Sequence, residues 1–553
     1  MSEANVKISS LLKTYTDDRG RPTFTAVRNR DPSAHQKPSQ ADQLAVSQSM
    51  DQSTYQEPFR PQFHFTPERN WMNDPNGMVY YAGEFHLFYQ YNPFGDKWGH
   101  MSWGHAVSSD LVHWKHLPLA LSEQGEIMMF SGSAVIDFVN TSGFGENGQP
   151  PMVAIYTGHR EETKQTRRLE NQRLAYSNDR GRTWTHFSGN PVLDIGSPEF
   201  RDPKVFWHEV TGRWIMVVVL SNEKKMRLYA SPDLKNWTQL SEFGPAGAWR
   251  DPIIWECPDL FPLEVEGEPS VTKWVLIVNI NPGGPAGGSG TQYFVGDFDG
   301  RRFTPDHAET ALWVDYGSDF YAAVTWSNVP ESDGRRILLG WMSNWAYTQD
   351  VPTAPWRSAM TVPRSLTLKH TSQGLRLAQE PIDELKKLRE ELALVFPGGS
   401  FADADNWLYQ QRNLPDLLDV EMTFSEVSRD APFAINIRAG MGEVTVISVE
   451  PDRSRLVVDR THSGLKEFHP AFSASSRHEA PVKIDDSKFT IRFLLDTSSL
   501  EVFSQDGRAT LTDLIFPTVG KRSISLSSEG GRALSMPKVY RITIHMLKSA
   551  VAK

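Results

Sequence analysis

Three acidic residues stand in settings that could hold a carboxylate still enough to react. Asp74 lies at the centre of Trp71-Met-Asn-Asp-Pro-Asn-Gly77. Pro75 fixes its own φ and pushes the residue before it towards an extended backbone. Asn76-Gly77 then predicts a turn ahead of the apolar run Met78 to Tyr81, which puts Asp74 at the mouth of a strand. Asp202 repeats the pattern in Phe200-Arg201-Asp202-Pro203, ahead of the run Lys204 to Trp207, and Glu256 stands in Trp255-Glu-Cys-Pro-Asp259. Arg-Asp-Pro also occurs at Arg30 and at Arg250. The first falls in a polar segment and the second has no long strand after it, so Asp202 is the better candidate. An ionised carboxylate and a protonated carboxyl group together make a nucleophile and an acid, the pair on which covalent and proton-transfer catalysis rests.

Such residues, far apart in sequence, need a fold that brings them together. From Phe63 to about Leu368 the pattern is one of short strands: Val79 to Tyr81 and Phe85 to Tyr91 flank Ala82-Gly83 as a hairpin, and Trp214 to Leu220 and Trp274 to Asn279 read as buried strands. An internal repeat runs through this region. Ser108-x-Asp110 is followed by Trp114, Ser177-x-Asp179 by Trp184 and Ser231-x-Asp233 by Trp237, with a weaker echo from Asp297 to Phe303. The spacing is that of a unit of four short strands, as in a propeller blade. Each repeat predicts a turn between outer strands, its Ser and Asp bonding backbone groups and its Trp packing between blades. A propeller gathers the inner strands of all its blades around one axis, and a funnel there could collect the three acids.

Length and composition bound the rest. A chain of 553 residues, 39% apolar, calls for more than one core, and its net charge of -10 without a basic run argues against nucleic acid and anionic membranes as partners. No stretch approaches a membrane span. The 17 Trp suit sugar binding as well as strand packing. Cys257 is the single cysteine, so no internal disulfide forms, and the 16 His include no spaced ligand set, so neither a catalytic metal nor a cofactor is expected. Residues 1–60 read as a polar arm without the apolar core of a signal peptide, which makes a cytoplasmic location the expectation; Leu11, Leu12, Phe24 and Val27 suit a short docked strand. Sequons at Asn140 and Asn236 are few enough to arise by chance.

The acid blocks, together with Phe130-Ser131-Gly132-Ser133, resemble the signature blocks of glycoside hydrolase family 32, the invertases, exo-inulinases and levanases. Asn281-Pro282-Gly283-Gly284, Asp315 to Tyr321, Gly340 to Trp345 and Trp356 to Arg364 support the match, which extends to the stretch Leu495 to Pro517. The resemblance implies an all-β protein: a five-bladed β-propeller over 61–370, a linker over 371–396 and a β-sandwich over 397–553. By the same resemblance Asp74 is the nucleophile on C2 of fructose and Glu256 the acid and later the base. Asp202 would hold fructose hydroxyls and stabilise the transition state, with Arg201 alongside as charge partner and donor. Burial and the charges of Asp74 and Asp202 are expected to keep a proton on Glu256. Asn73, Gln90, Trp98, Phe130 and Ser131 occupy positions that line the fructose subsite in the family. Trp341 and Trp345 fit either a wall of that site or packing, and Cys257 reads as a buried neighbour of Glu256.

After the propeller, Pro381 to Leu392 predicts a short amphipathic helix with Leu385, Leu388 and Leu392 on one face. Alternating strands return at Leu417 to Phe424, Glu443 to Val449, Phe489 to Leu495 and Leu500 to Phe503, with Asp506-Gly507 as a turn. Asp496 and Glu501 suit structure or interdomain contact. The function implied is a retaining β-fructofuranosidase acting on sucrose and related saccharides, with self-association expected through the arm or the sandwich. The alternatives are an exo-inulinase or levanase acting on fructan polymers, a fructosyltransferase and a non-catalytic fructan-binding relative. Ser177 to Trp184 also matches the Asp-box of sialidases, but those need clustered arginines and a Tyr nucleophile.

Overall fold

The computed structural model describes residues 55–551 apart from 441, 485–487, 505–506, 519 and 529–535, together with the strands Tyr15–Thr16 and Pro22–Thr23, which pair antiparallel. Leu11, Leu12, Phe24, Val27 and Asp506 lie outside the described residues. Among the described residues the fold is built almost wholly from β-strands, with one ten-residue α-helix, Phe401–Gln410, and one of five, Pro470–Ala474.

Five blades of four antiparallel strands form the N-terminal domain, a β-propeller. Their innermost strands are Asn70–Tyr81, Met128–Ile136, Phe200–His208, Ile254–Val265 and Tyr321–Thr325. The fourth and fifth blades merge into one hydrogen-bonded sheet through a single parallel pair, Val265 with Leu368. Ala82 and Gly83, both with positive φ, close the first hairpin as the sequence predicts.

The Ser-x-Asp repeats sit between the third and fourth strands of the first three blades. In each, the Asp carboxylate accepts backbone N–H groups, such as Val112 and His113 on Asp110 and Thr183 on Asp179, while the Trp indole donates to the turn: Trp114 to Leu111 O, Trp184 to Gly181 O, Trp237 to Leu234 O. Trp114 also packs on Phe65 and on Trp326 of the fifth blade, which helps to close the ring. These are structural turns, and they carry no chemistry.

Two expectations change. Asn76-Gly77 is no turn: Asn70–Tyr81 runs straight through it as one strand, with register shifts between Met72 and Pro75 and between Asn76 and Val79 absorbing the proline and the glycine as bulges. The helix predicted over Pro381 to Leu392 is instead a 3₁₀ turn, Asp383–Leu388, followed by the strand Arg389–Phe396. Leu385 and Leu388 are buried as expected, but Leu392 is 79% exposed, because the strand joins the edge of a sandwich sheet by pairing with Lys538–Leu547. Residues 371–396 are thereby divided: the hairpin Arg364–Thr371 with Gly374–Pro381 stays in the propeller and the later strand enters the second domain.

That second domain is a β-sandwich of a six-stranded and a five-stranded sheet. Alternate residues point inward, as with Leu418, Val420, Met422 and Phe424 on one sheet and Ile435, Ile437, Ile447 and Val449 on the other. The helix Phe401–Gln410 is started by a capping box in which Ser400 and Asp403 bond each other's backbone N–H groups.

Candidate active site

The innermost strands deliver the site residues, and they do so by a shared device. Each of the five carries a register shift near its N-terminal end: after Met72, Met129, Arg201, Glu256 and Tyr321. A bulge bends its strand and turns one side chain out of the pleat. Here the residues at or beside the bulges are Asp74, Ser131, Asp202, Glu256 and Tyr321. Asp202 and Cys257 accept positive φ, 65° and 43°, a strained backbone for residues with a Cβ. Gly132 has to be glycine for a different reason: a Cβ there would stand 2.1 Å from the carbonyl oxygen of Ile155, so only glycine lets the second blade press its inner strands together beside Ser131.

The three acids converge. The Cys257 thiol lies 3.6 Å from both Asp74 Oδ2 and Asp202 Oδ2, and the Cys257 backbone N–H donates to Asp202 Oδ2 at 2.9 Å. Asp74 is held on both oxygens, by Asn73 Nδ2 at 2.9 Å and by the Ser131 hydroxyl at 2.7 Å, and Asn73 is itself fixed by the Trp71 indole at 2.7 Å. Glu256 is likewise held on both oxygens: Arg201 Nε donates to Oε1 at 3.1 Å and the Tyr321 hydroxyl to Oε2 at 2.5 Å.

Burial sets the electrostatics. It raises Asp74 above the ordinary carboxylate range against the pull of its Asn73 and Ser131 hydrogen bonds. Burial likewise pushes Asp202 up to about 8; Arg201 opposes this, while the charges of Glu256 and Asp74 add to it. Burial and the surrounding carboxylates drive the Cys257 thiol and the Tyr321 hydroxyl well above their usual values, so both stay protonated. Cys257 is therefore a weak donor between two carboxylates and no nucleophile.

Of the other residues singled out in the sequence, Gln90 is buried with its amide on Met129 O at 2.8 Å. Phe130 lies flat on the His159 ring, with centroids 4.0 Å apart, and meets Trp98 edge-on at 6.1 Å. Arg201 spends every nitrogen on protein partners: Nε on Glu256, Nη1 on Glu170 and Glu199, Nη2 on Ser221. Trp341 is fully buried against Trp71, Trp345 and Tyr321, so it backs the wall of the cup from behind.

Tyr321, Glu170 and His159 went unassigned in the sequence. Tyr321 had a signal: it closes the block Asp315 to Tyr321 on which part of the family resemblance rests. Glu170 had none, because it sits on a third strand and reaches the site through other side chains, Arg201 and His159. Among the described residues, no group of three or more His, Cys, Asp or Glu side chains has the geometry to hold a metal ion.

Residues 64–381 match the model of the glycosyl hydrolases family 32 N-terminal domain, and residues 403–545 match that of the family 32 C-terminal domain. The chain belongs to glycosyl hydrolase family 32. The N-terminal match ends at Pro381, where the last propeller hairpin ends. A levanase of Bacillus subtilis is 47% identical over 501 residues, covering 90% of this chain and 72% of that one. The crystal structure of an exo-inulinase from Aspergillus awamori superposes with a TM-score of 0.82 at 37% identity, over 90% of this chain and 100% of that one. A β-fructofuranosidase from Schwanniomyces occidentalis, solved with fructosyl-erythritol, gives a TM-score of 0.78 at 33% identity, over 90% and 100%. Family 32 membership makes the protein a glycoside hydrolase, and its five-bladed propeller with a β-sandwich is the architecture of the family.

Proposed function

We propose that the protein is a retaining fructoside hydrolase that releases terminal β-D-fructofuranose from sucrose and related fructosides by double displacement. In the first step Asp74 attacks C2 of fructose, the bond from C2 to the leaving oxygen breaks, and Glu256 gives that oxygen its proton. In the second, Glu256 takes a proton from water, the water oxygen bonds to C2, and the ester to Asp74 breaks with the electron pair returning to the carboxylate. Asp202 bears on the fructose hydroxyls and on the positive charge that develops in the ring. Asn73, Gln90, Trp98, Phe130 and Ser131 surround the sugar.

The observation that carries this reading is the division of labour among the acids. Among the described residues the donors to Asp74 are neutral, Asn73, Ser131 and more weakly the Cys257 thiol, which leaves its charge for C2. Glu256 sits between a hydroxyl and a guanidinium that hold it whichever form it takes. The substrate range follows from the relatives: levanase, exo-inulinase and β-fructofuranosidase share one terminal sugar and differ in what it is attached to. Relatives named as levanase and exo-inulinase beside β-fructofuranosidase extend the reading from sucrose to the fructan polymers levan and inulin.

Initial rates on sucrose, inulin and levan, with the products identified, test the proposal. Fructose appearing from all three supports an open exo-acting cup, and glucose plus fructose from sucrose alone restricts the reading to an invertase. Folded protein that turns over none of them overturns it.

A further inference from the structure

Arg201 presents an unresolved demand. A guanidinium given wholly to Glu256 would favour the ionised carboxylate and spoil it as an acid, because an opposite charge within hydrogen-bond reach stabilises the charged form. Arg201 is not given wholly to Glu256. Its Nη1 donates to Glu170 at 3.1 Å and 3.3 Å and to Glu199 at 2.6 Å, so that one cation serves three carboxylates, with Glu256 held through Nε alone.

Glu170 is fully buried on the third strand of the second blade, Leu169–Ser177, and has no route to substrate of its own. Its carboxylate also accepts from His159 Nδ1 at 3.1 Å and from Arg168 Nη2 at 3.4 Å, and Arg168 in turn bridges to Glu199 at 3.0 Å. Burial alone would raise Glu170, but the charge of Arg201 and the His159 contact outweigh it and hold Glu170 below its usual range, so it is an anion. A buried anion on a strand that touches no substrate is costly unless it is fully paired.

We infer that Glu170 is a positioning residue for the acid step: by anchoring Arg201 and taking a share of its charge, it sets Arg201 Nε against Glu256 without stripping Glu256 of its proton. This rests on the reading of Glu256 as the acid. His159, anchored by Glu170, presents its other face to Phe130, so the same carboxylate steadies the aromatic side of the cup.

Leaving-group dependence tests it. Sucrose needs a proton delivered to its leaving oxygen, whereas β-fructosyl fluoride departs with little help from an acid. In Glu170→Gln the charge of Arg201 turns towards Glu256, which favours ionised Glu256. The kcat on sucrose is expected to fall ten- to a hundredfold, with a loss on the fluoride of less than about threefold.

The alkaline limb of kcat/KM on sucrose should also move to lower pH. The titratable and charged groups that face the two carboxylates are Arg201, Asp202, Asp74, Cys257 and Tyr321 about Glu256, and Arg168, His159 and Arg201 about Glu170, with Glu199 on both arginines. Glu170→Asp, which keeps the charge, should restore the alkaline limb towards wild type. Glu199→Gln, at the partly exposed edge where folding is safe, should show the same split at a few-fold.

Equal losses on both substrates in folded Glu170→Gln, or no split in Glu199→Gln, overturn the inference. The same pair of substrates applied to Glu256→Gln separates the two claims. A sucrose-selective loss there with none in Glu170→Gln or Glu199→Gln sinks only the positioning role, whereas no selective loss in Glu256→Gln sinks the acid itself.

Discussion

Two places in this protein bury carboxylates, and they treat them in opposite ways. Along the seam between propeller and sandwich the buried acids among the described residues have basic partners. His64 lies between Asp496 and Glu501 at 2.8 Å and 2.7 Å, Arg364 joins Glu501 to Asp315, Arg460 meets Asp319 at 2.7 Å, and the His478 ring meets Asp513 at 2.6 Å. Burial there is outweighed by pairing for Asp496, Glu501 and Asp513, all held below their ordinary range; Asp319 is the exception, where burial wins. In the cup Glu256 alone bonds part of one guanidinium, Asp202 feels that charge without a bond to it, and burial raises Asp74 and Asp202. Paired buried charges fix how two domains sit. Under-compensated ones are available to act on a substrate, which is why strongly shifted groups gather at catalytic sites.

The contrast can be broken from either side. The largest effect belongs to Asp74→Asn, which removes the nucleophile. Its kcat/KM on sucrose should fall on the order of 10⁵-fold, as in hydrolases that lose a covalent nucleophile. Because the lost charge was poorly compensated, the thermal midpoint should stay level or rise, and a large drop would show that Asp74 belongs with the seam.

Arg364→Met is the opposite test. It leaves Glu501 and Asp315 buried with their shared cation gone, at a cost of about 3–5 kcal/mol in denaturant unfolding, while the molecules that remain folded keep near-normal turnover. Unchanged stability would deny the seam its role.

The pH dependence of the seam is a smaller effect. Burial works against charge on His64, but the hydrogen bonds to Asp496 and Glu501 outweigh it and raise His64 to about 9. A group raised in the folded state contributes stability that is complete below its unfolded value near 6.5 and is lost as pH climbs through the folded value. Unfolding free energy should therefore decline by on the order of 3 kcal/mol between pH 6.5 and pH 9.5, and His64→Gln should flatten that slope. A slope that survives the substitution would place the titration elsewhere.

How much of this was legible in the sequence follows from what makes each feature. The blade turns could be read because their geometry is local: the Ser, the Asp and the Trp all bond within a few residues. That the three acids come together could be expected because each lies in a dense block with a proline one or two residues on. The bulges could not, since a register shift is a relation between two strands, and so Asn76-Gly77 looked like the turn it is not. Leu385, Leu388 and Leu392 carried helical spacing, yet the edge of a distant sheet decided the conformation beyond Leu388. The capping box at Ser400 and Asp403 was a local signal that went unread. Glu170 shows the limit most clearly: its importance comes through Arg201, and nothing in its own neighbourhood along the chain points to Glu256.

The most direct test of the central claim, that Asp74 and Glu256 divide the work of nucleophile and acid–base, uses Glu256→Ala with β-fructosyl fluoride and added azide. The fluoride lets Asp74 form the ester without an acid, and the ester then waits, because no base activates water; azide needs no base and attacks C2 directly. The account predicts that azide speeds turnover and that the product is β-fructosyl azide, with the configuration kept through two inversions. An α-configured product, or turnover indifferent to azide, would contradict it.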